Sequence, residues 1–383
     1  MKHLTAALLA GAVAGAALVV APQQAGADAP RTVRHTGARP GALLEQEALP
    51  ASFRTPATGG AVRVRYGSTG EDGSPATVSG MVYLPKGRAP HGGWPVVAWD
   101  HGTVGVADAC APSVTGPDAR AHTLFESWLK RGYAVVATDY EGLGTDGEHT
   151  YVSGRSEAHA TADIVRAARR LDPRVGRKWA VYGHSQGGGA ALFTAAYAHR
   201  YAPELDFRGA AAAAPPSHWA QILGLAGAGD PQATANPYIA LLVSGMAAAE
   251  PDVKPADYLT PQGMKVLEVA RDGGCLAEVF KAGEGLKNAD FVYGTPRNGA
   301  PGLAALLAHH SEPPVTRYRE PVLIVQGTAD TTVPAVTSKE MAAALARAGT
   351  RVTYTSYEGV DHPSLPVTAL DDVDAWLDAR LAR

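Results

Sequence analysis

The chain has 383 residues, 46% hydrophobic and 19% charged, enough apolar material for one large core or a core plus a cap. Its 34 basic and 37 acidic residues leave a formal charge of −3, and with no basic run or stripe this argues against a nucleic-acid partner. Two cysteines, without CxxC or HExxH spacing, argue against a structural zinc site, and no metal or cofactor is expected.

Residues 1–27 read as a signal peptide. Lys2 and His3 precede an apolar, Ala-rich run from Leu4 to Val20, and Ala25-Gly26-Ala27 offers small residues for cleavage before Asp28. The run, about 17 residues broken by Gly11 and Gly15, lies at the lower limit for a membrane span. A secreted chain is therefore expected. In an oxidising compartment its lone cysteine pair, Cys110 and Cys275, is expected to form one disulfide.

Residues 28–58 are rich in Pro, Ala and Gly and read as an N-terminal arm, with a short helix near Gly41 to Ala48. Val62, Val64 and Tyr66 alternate with Arg63 and Arg65, the period of a half-buried strand. Turn residues from Ser68 to Pro75 and a second strand from Thr77 to Leu84 complete an antiparallel hairpin. From Trp94 the pattern becomes strand–helix alternation, the signature of a mostly parallel sheet covered on both faces. Strands are expected at Pro95–Trp99, Tyr133–Thr138, Lys178–Tyr182 and Arg208–Ala214. Helices are expected at Ala119–Lys130, Ser156–Arg170 with a Ser cap, and Gln186–Arg200. Residues 217–315 carry scattered helical pieces and no strand signal, and a structureless stretch of that length is improbable, so they read as an inserted, mainly helical cap. The alternation resumes with a strand at Pro321–Gln326, a helix at Ala335–Ala348, a strand at Arg351–Tyr357 and a closing helix at Val367–Ala382. The expected fold is an α/β-hydrolase: core 28–216 and 316–383, cap 217–315.

The chemistry centres on Gly183-His184-Ser185-Gln186-Gly187, the chain's one GxSxG. The pentapeptide alone is weak, but here it follows an apolar strand and runs directly into a helix, as a nucleophile elbow requires. A serine hydroxyl needs a base to take its proton, and the base needs an acid to orient it. The chain order in this fold is Ser, acid, His. His362 stands in the loop after the last strand, whereas His218, His309 and His310 fall at or inside the cap and suit surface or lining roles. Asp330 ends the turn after the expected strand Pro321–Gln326. Asp361 adjoins His362, is poorly placed to reach its Nδ1, and reads as loop-shaping. Oxyanion donors are expected from the amide of Gln186 and from the loop Asp100-His101-Gly102-Thr103, with Thr103 and His101 as candidates. His184 reads as a packing residue, and Asp139 and Tyr140 as pocket-wall or loop residues.

Ala98-Trp99-Asp100-His101-Gly102-Thr103, then Asp108-Ala109-Cys110-Ala111-Pro112-Ser113, then the GxSxG segment resemble the secretory lipase family. That family includes fungal lipase A-type enzymes and actinobacterial secreted esterases. The resemblance runs from roughly residue 40 to the C-terminus, and the Cys-Ala-Pro-Ser segment is its most specific element. It implies hydrolysis of triacylglycerols or shorter esters, a helical lid over the acyl site, no cofactor, and a triad of Ser185, Asp330 and His362. The expected partner is a small-molecule ester or lipid substrate, met by a monomer with transient contact with lipid interfaces. Three rival readings are a serine aminopeptidase, which needs a cap acid such as Glu250 or Asp252 for the substrate amine; an acyltransferase; and a non-catalytic binding protein that kept the fold.

Overall fold

The alternating residues around Val64 form the middle of three antiparallel strands: β1 (Leu43–Ala48), β2 (Thr58–Thr69) and β3 (Pro75–Pro85). These belong to a computed structural model that describes residues 38–382; the expected signal peptide, residues 1–27, lies outside the described residues. The short helix expected near Gly41 to Ala48 is instead β1. Its register sets Glu47 opposite Arg63 and Glu45 opposite Arg65, with ion pairs at 3.4 and 3.6 Å. An open strand edge and complementary cross-strand charges thus override a weak local preference.

Six further strands run parallel: β4 (Trp94–Asp100), β5 (Ala134–Glu141), β6 (Val175–His184), β7 (Asp206–Ala213), β8 (Val322–Gly327) and β9 (Val352–Tyr357). The sheet order is β1-β2-β3-β5-β4-β6-β7-β8-β9, with β3 antiparallel to β5. All six residues of β8 are buried, which is why it reads as a continuous apolar run rather than an alternating one.

Helices cover both faces. After the short α1 (Pro112–Thr115) come α2 (Ala119–Lys130), α3 (Gly154–Leu171) and α4 (Gln186–Tyr201). The α3 and α4 side chains Ile164, Val165 and Leu192 pack on one face of the sheet; Leu124, Phe125 and Trp128 of α2 pack on the other. The expected serine cap of α3 is not made. The helix starts at Gly154, its N-cap Ser153 forms no capping bond, and Ser156 lies inside the first turn. The Ser156 hydroxyl is instead taken up by the half-buried Glu141 carboxylate, to which it donates a charge-assisted hydrogen bond.

Residues 219–310 hold α5 (Trp219–Leu225), α6 (Tyr238–Ala249), α7 (Pro261–Arg271), α8 (Leu276–Ala282), α9 (Asn288–Phe291) and α10 (Leu303–His310). They enclose their own apolar cluster, including Leu241, Leu267, Phe291 and Leu307, joined by Val106, Tyr151 and Val152 from loops of the sheet. The chain closes with α11 (Ala335–Arg347), α12 (Leu365–Thr368) and α13 (Leu370–Leu381), so the expected last helix is broken at Ala369. No helix of the described residues is long and apolar enough to cross a membrane.

Cys110 and Cys275 are bridged, with their Cα atoms 5.5 Å apart at a sequence separation of 165. Beside the bridge, the Leu276 N–H donates to Val104 O at 2.8 Å and Gly105 pairs with Cys275. The loop after β4 is therefore tied to the start of α8 by one covalent bond and a short ladder. Closing so long a loop stabilises by at most about 5 kcal/mol on a chain-entropy argument. Replacing both cysteines by serine should lower the thermal midpoint by up to roughly 7 °C. A scan in which the double variant melts with the parent would show that the crosslink is not formed in solution.

Candidate active site

At the turn from β6 to α4, Ser185 is held at φ 57° and ψ −122°. For a residue with a side chain this conformation costs on the order of 1–3 kcal/mol, and the neighbours must enforce it. They do so by contact. A Cβ on Gly183 would lie 1.9 Å from Gly187 O, and one on Gly187 would lie 1.9 Å from Asp100 O. The Ser185 N–H donates to Ala213 O at 2.9 Å, and its carbonyl accepts from Gly189 N–H at 3.1 Å. The hydroxyl thus stands at the head of α4, whose first N–H groups have no partner one turn back.

Asp330 follows β8 as expected. Its Oδ1 accepts the Thr332 and Val333 N–H groups at 2.8 Å each, and its Oδ2 accepts from Gln326 Nε2 at 3.1 Å. The same Oδ2 lies 2.6 Å from His362 Nδ1. A carboxylate so surrounded by donors accepts the Nδ1–H, which leaves Nε2 as the free nitrogen of His362. Asp361 faces away and accepts the Ser364 N–H at 3.0 Å, shaping the loop.

His184 does more than pack. Its Nε2 lies 3.0 Å from His362 O, and the two rings sit 4.5 Å apart. Burial, reinforced by the neighbouring His362, holds its proton affinity well below the ordinary value, so it is neutral and donates Nε2–H to that carbonyl. The residue before the serine therefore pins the loop that carries the histidine.

The loop after β4 is set from below. Tyr140, at φ 72°, donates its hydroxyl to His101 O at 3.0 Å, and the His101 ring lies 2.7 Å from Gly102 O. Asp139 is buried beneath, accepting from Ser79 Oγ at 2.6 Å and Ser113 N–H at 2.9 Å. Neither residue is pocket wall; both are supports. Thr103 Oγ1 meets Tyr151 Oη at 2.7 Å, and Ser185, Gln186, Thr103 and Tyr151 border one cavity of about 60 Å³, roofed by Trp219, Leu223 and Tyr238. His101 faces a neighbouring cleft of about 320 Å³ that meets the first at Thr103.

Sequence reasoning missed what holds Gln186. Its side-chain nitrogen donates to Glu157 Oε1 at 2.8 Å and lies 3.4 Å from His149 Nε2. His149 gives its other ring N–H to Glu141 O at 2.7 Å, and burial lowers its pKa to about 4, so Nε2 accepts. Only the run of polar residues from Glu148 to Glu157 hinted at this network, without naming a partner. Of the surface or lining roles expected for His310, the surface one is excluded: the residue is buried, with Glu71 and Glu250 each 3.0 Å from its ring. The strand-turn-helix carrying Ser185, inside a mostly parallel sheet, makes the chain an α/β-hydrolase.

The chain belongs to the secretory lipase family, whose model matches residues 119–383. It is 35% identical to Lipase 2 of Candida albicans over 161 residues, 41% of this chain and 33% of that protein. The matched part thus spans only a third of that relative. Among solved structures, Candida antarctica lipase A superposes with a TM-score of 0.73 at 19% identity, covering 89% of this chain and 83% of that one. The rice cell wall degrading esterase LipA of Xanthomonas oryzae gives 0.71 at 20%, covering 89% and 98%. Both likenesses are of fold.

Burial raises the Glu157 carboxyl from 4.5 to about 8, with the Gln186 bond only partly offsetting it. Between those pH values the folded chain holds a proton there that the unfolded chain has lost, so stability falls as pH rises through the window. Glu157→Gln should therefore flatten the decline in denaturation midpoint between about pH 5 and 8. An unchanged slope in the variant would show that Glu157 ionises normally.

Proposed function

We propose that the chain is a carboxylic-ester hydrolase working through Ser185, His362 and Asp330. The 2.6 Å contact between Asp330 Oδ2 and His362 Nδ1 carries the reading, because it leaves Nε2 free on a loop held by His184, the residue before the elbow serine. In the proposed reaction Ser185 Oγ attacks the ester carbonyl carbon while His362 Nε2 takes its proton. The oxyanion lies against the amides of Gln186 and Thr103; Thr103 is preferred to His101 because it borders the Ser185 cavity. Collapse expels the alcohol, protonated by His362, and leaves the serine acylated. A water molecule, activated by the same nitrogen, releases the acid and restores the serine.

The substrate class follows the family and its relatives' names, lipases and an esterase: an ester with an apolar acyl group. The cavity lining of Trp219, Ile222, Leu223, Ile239 and Leu242 supports an apolar occupant. Its volume of about 60 Å³ is well below the roughly 300–1,000 Å³ of ordinary ligand sites, so α5 or α6 must shift to admit an acyl chain. On this reading residues 217–315 are a cap on a core of 28–216 and 316–383, and residues 1–27 direct export as a secreted protein. The aminopeptidase reading lacks support: Glu250 pairs with His310 and, with Asp252, borders a different cavity.

Purified protein assayed on p-nitrophenyl esters of increasing chain length, beside an amino-acid p-nitroanilide, tests the proposal. Ester turnover is expected, falling on the order of 10⁴–10⁶ in kcat for Ser185→Ala and about 10⁴ for Asp330→Asn. Full ester turnover in Ser185→Ala, or anilide turnover alone, would overturn it. His184→Ala should lower kcat about 10–100-fold with little change in KM, since it frees the histidine loop without touching substrate. An unchanged kcat would return His184 to a packing role.

A further inference from the structure

His310 ends α10 and sits between two carboxylates, its Nδ1 3.0 Å from Glu71 Oε1 and its Nε2 3.0 Å from Glu250 Oε1. A neutral imidazole carries one N–H and can satisfy only one of them. Glu71 is the fixed partner. It is 8% exposed, and its other oxygen accepts the Ser156 N–H at 3.1 Å. Giving the Nδ1–H to Glu71 leaves the Nε2 lone pair facing Glu250 at 3.0 Å, so a positive species must bind both, either a proton between them or a cation to one side.

A proton could fill that place, but a third donor converges there that a proton does not need. His309, exposed on the same helix end, brings a ring nitrogen within 4.8 Å of the ligand atoms of both Glu250 and His310. Tetrahedral metal bonds of about 2.0–2.1 Å set neighbouring ligand atoms roughly 3.3 Å apart. The His310–Glu250 pair already has nearly that separation, and the exposed His309 ring can swing the remainder. Glu71 behind the Nδ1–H repeats the carboxylate–histidine–metal arrangement that fixes tautomer and raises ligand basicity. Glu250 caps α6 and His310 closes α10, so two helix C-termini bring their negative ends to the same point. A solvent-open cavity beside Glu250 has room for a water as fourth ligand.

We propose that Glu250, His309 and His310 bind one borderline-soft divalent cation of the zinc type, with Glu71 as the outer partner of His310. The site joins α6 and α10 to the turn between β2 and β3, which carries Glu71. It is independent of ester hydrolysis at Ser185, and the cysteines do not compete for the metal because they are bridged.

The test uses the full chain, stripped with a chelator and dialysed, then titrated with Zn²⁺ against a chromophoric indicator and with Co²⁺ for its visible absorption. One equivalent is expected to bind, with the thermal midpoint rising roughly 2–4 °C in excess Zn²⁺. His309→Ala removes a ligand yet keeps the Glu71–His310–Glu250 contacts, and it should weaken binding by more than about tenfold. Glu250→Gln should do the same. No uptake by the parent chain, or equal uptake by His309→Ala, would overturn the metal and leave a proton-held ion triad.

Discussion

The positive φ of Ser185 is the constraint on which the rest of the site depends. Lifting one hydroxyl out of the sheet onto a helix head requires the backbone before and after it to pass with no side chain between. That is why Gly187 touches the carbonyl of Asp100 at the end of β4, and why Gly183 touches Gly187. The same contact fixes the next loop. Asp100 leads directly into His101, Gly102 and Thr103, so the elbow and the loop proposed to hold the oxyanion are set against each other by backbone contact. His184 extends the arrangement to the third element by holding His362 O. One strained residue thus registers β4, β6 and the loop after β9.

Around that backbone the fold buries several carboxyl groups, and their environments divide them into two kinds. Asp330 is met by two backbone N–H groups, an amide and an imidazole, so that its two oxygens accept four hydrogen bonds. Asp100 is buried, with one oxygen accepting from Thr161 and the other without a partner among the described residues; burial drives its pKa well above the usual carboxylate range. Glu157 is raised to about 8 by the same cause. Neutral carboxyls under the elbow act as hydrogen-bonding struts without adding negative charge beside the proposed oxyanion. This separation matters because a developing oxyanion at Ser185 is destabilised by every uncompensated anion in low dielectric.

Legibility in the sequence tracked how local the determining physics is. The elbow, Asp330 and His362 could be placed because strand–turn–helix patterning and chain order are local signals, and the bounds of α2 came out at Ala119 and Lys130 as expected. The cysteine pair could be matched because only one pairing exists. What escaped was long-range. Nothing near Leu43 announced that Arg63 and Arg65 would lie opposite Glu47 and Glu45 and turn an expected helix into β1. The Gln186–Glu157–His149 network joins residues 29 and 37 positions apart, and no spacing rule connects them. His310 reads from sequence as a surface or lining residue of the cap, and its partner Glu71, 239 residues away in a hairpin turn, has no local signal.

Those long-range anchors are unevenly spread over residues 219–310, and the unevenness bears on how the proposed substrate gets in. Helix α8 is tied to the loop after β4 by the Cys110–Cys275 bond, and α6 and α10 meet the core at Glu250, His310 and Glu71. Helix α6 also buries eight residues from Ile239 to Met246. Helix α5 buries only Trp219, whose indole donates to Ser311 O at 2.8 Å, while its far end leaves Leu225 59% exposed. Local opening free energy follows buried contact, so α5 is the cheapest element to displace. It also supplies Ile222 and Leu223 to the roof of the Ser185 cavity. Hinging α5 about Trp219 would widen that cavity without breaking the disulfide or the His310 contacts. Opening through α6 would have to give up an apolar helix face as well as the Glu250 anchor. The division gives the loop after β4 a fixed wall at α8 and, of the two helices that line the Ser185 cavity, concentrates adaptability at α5.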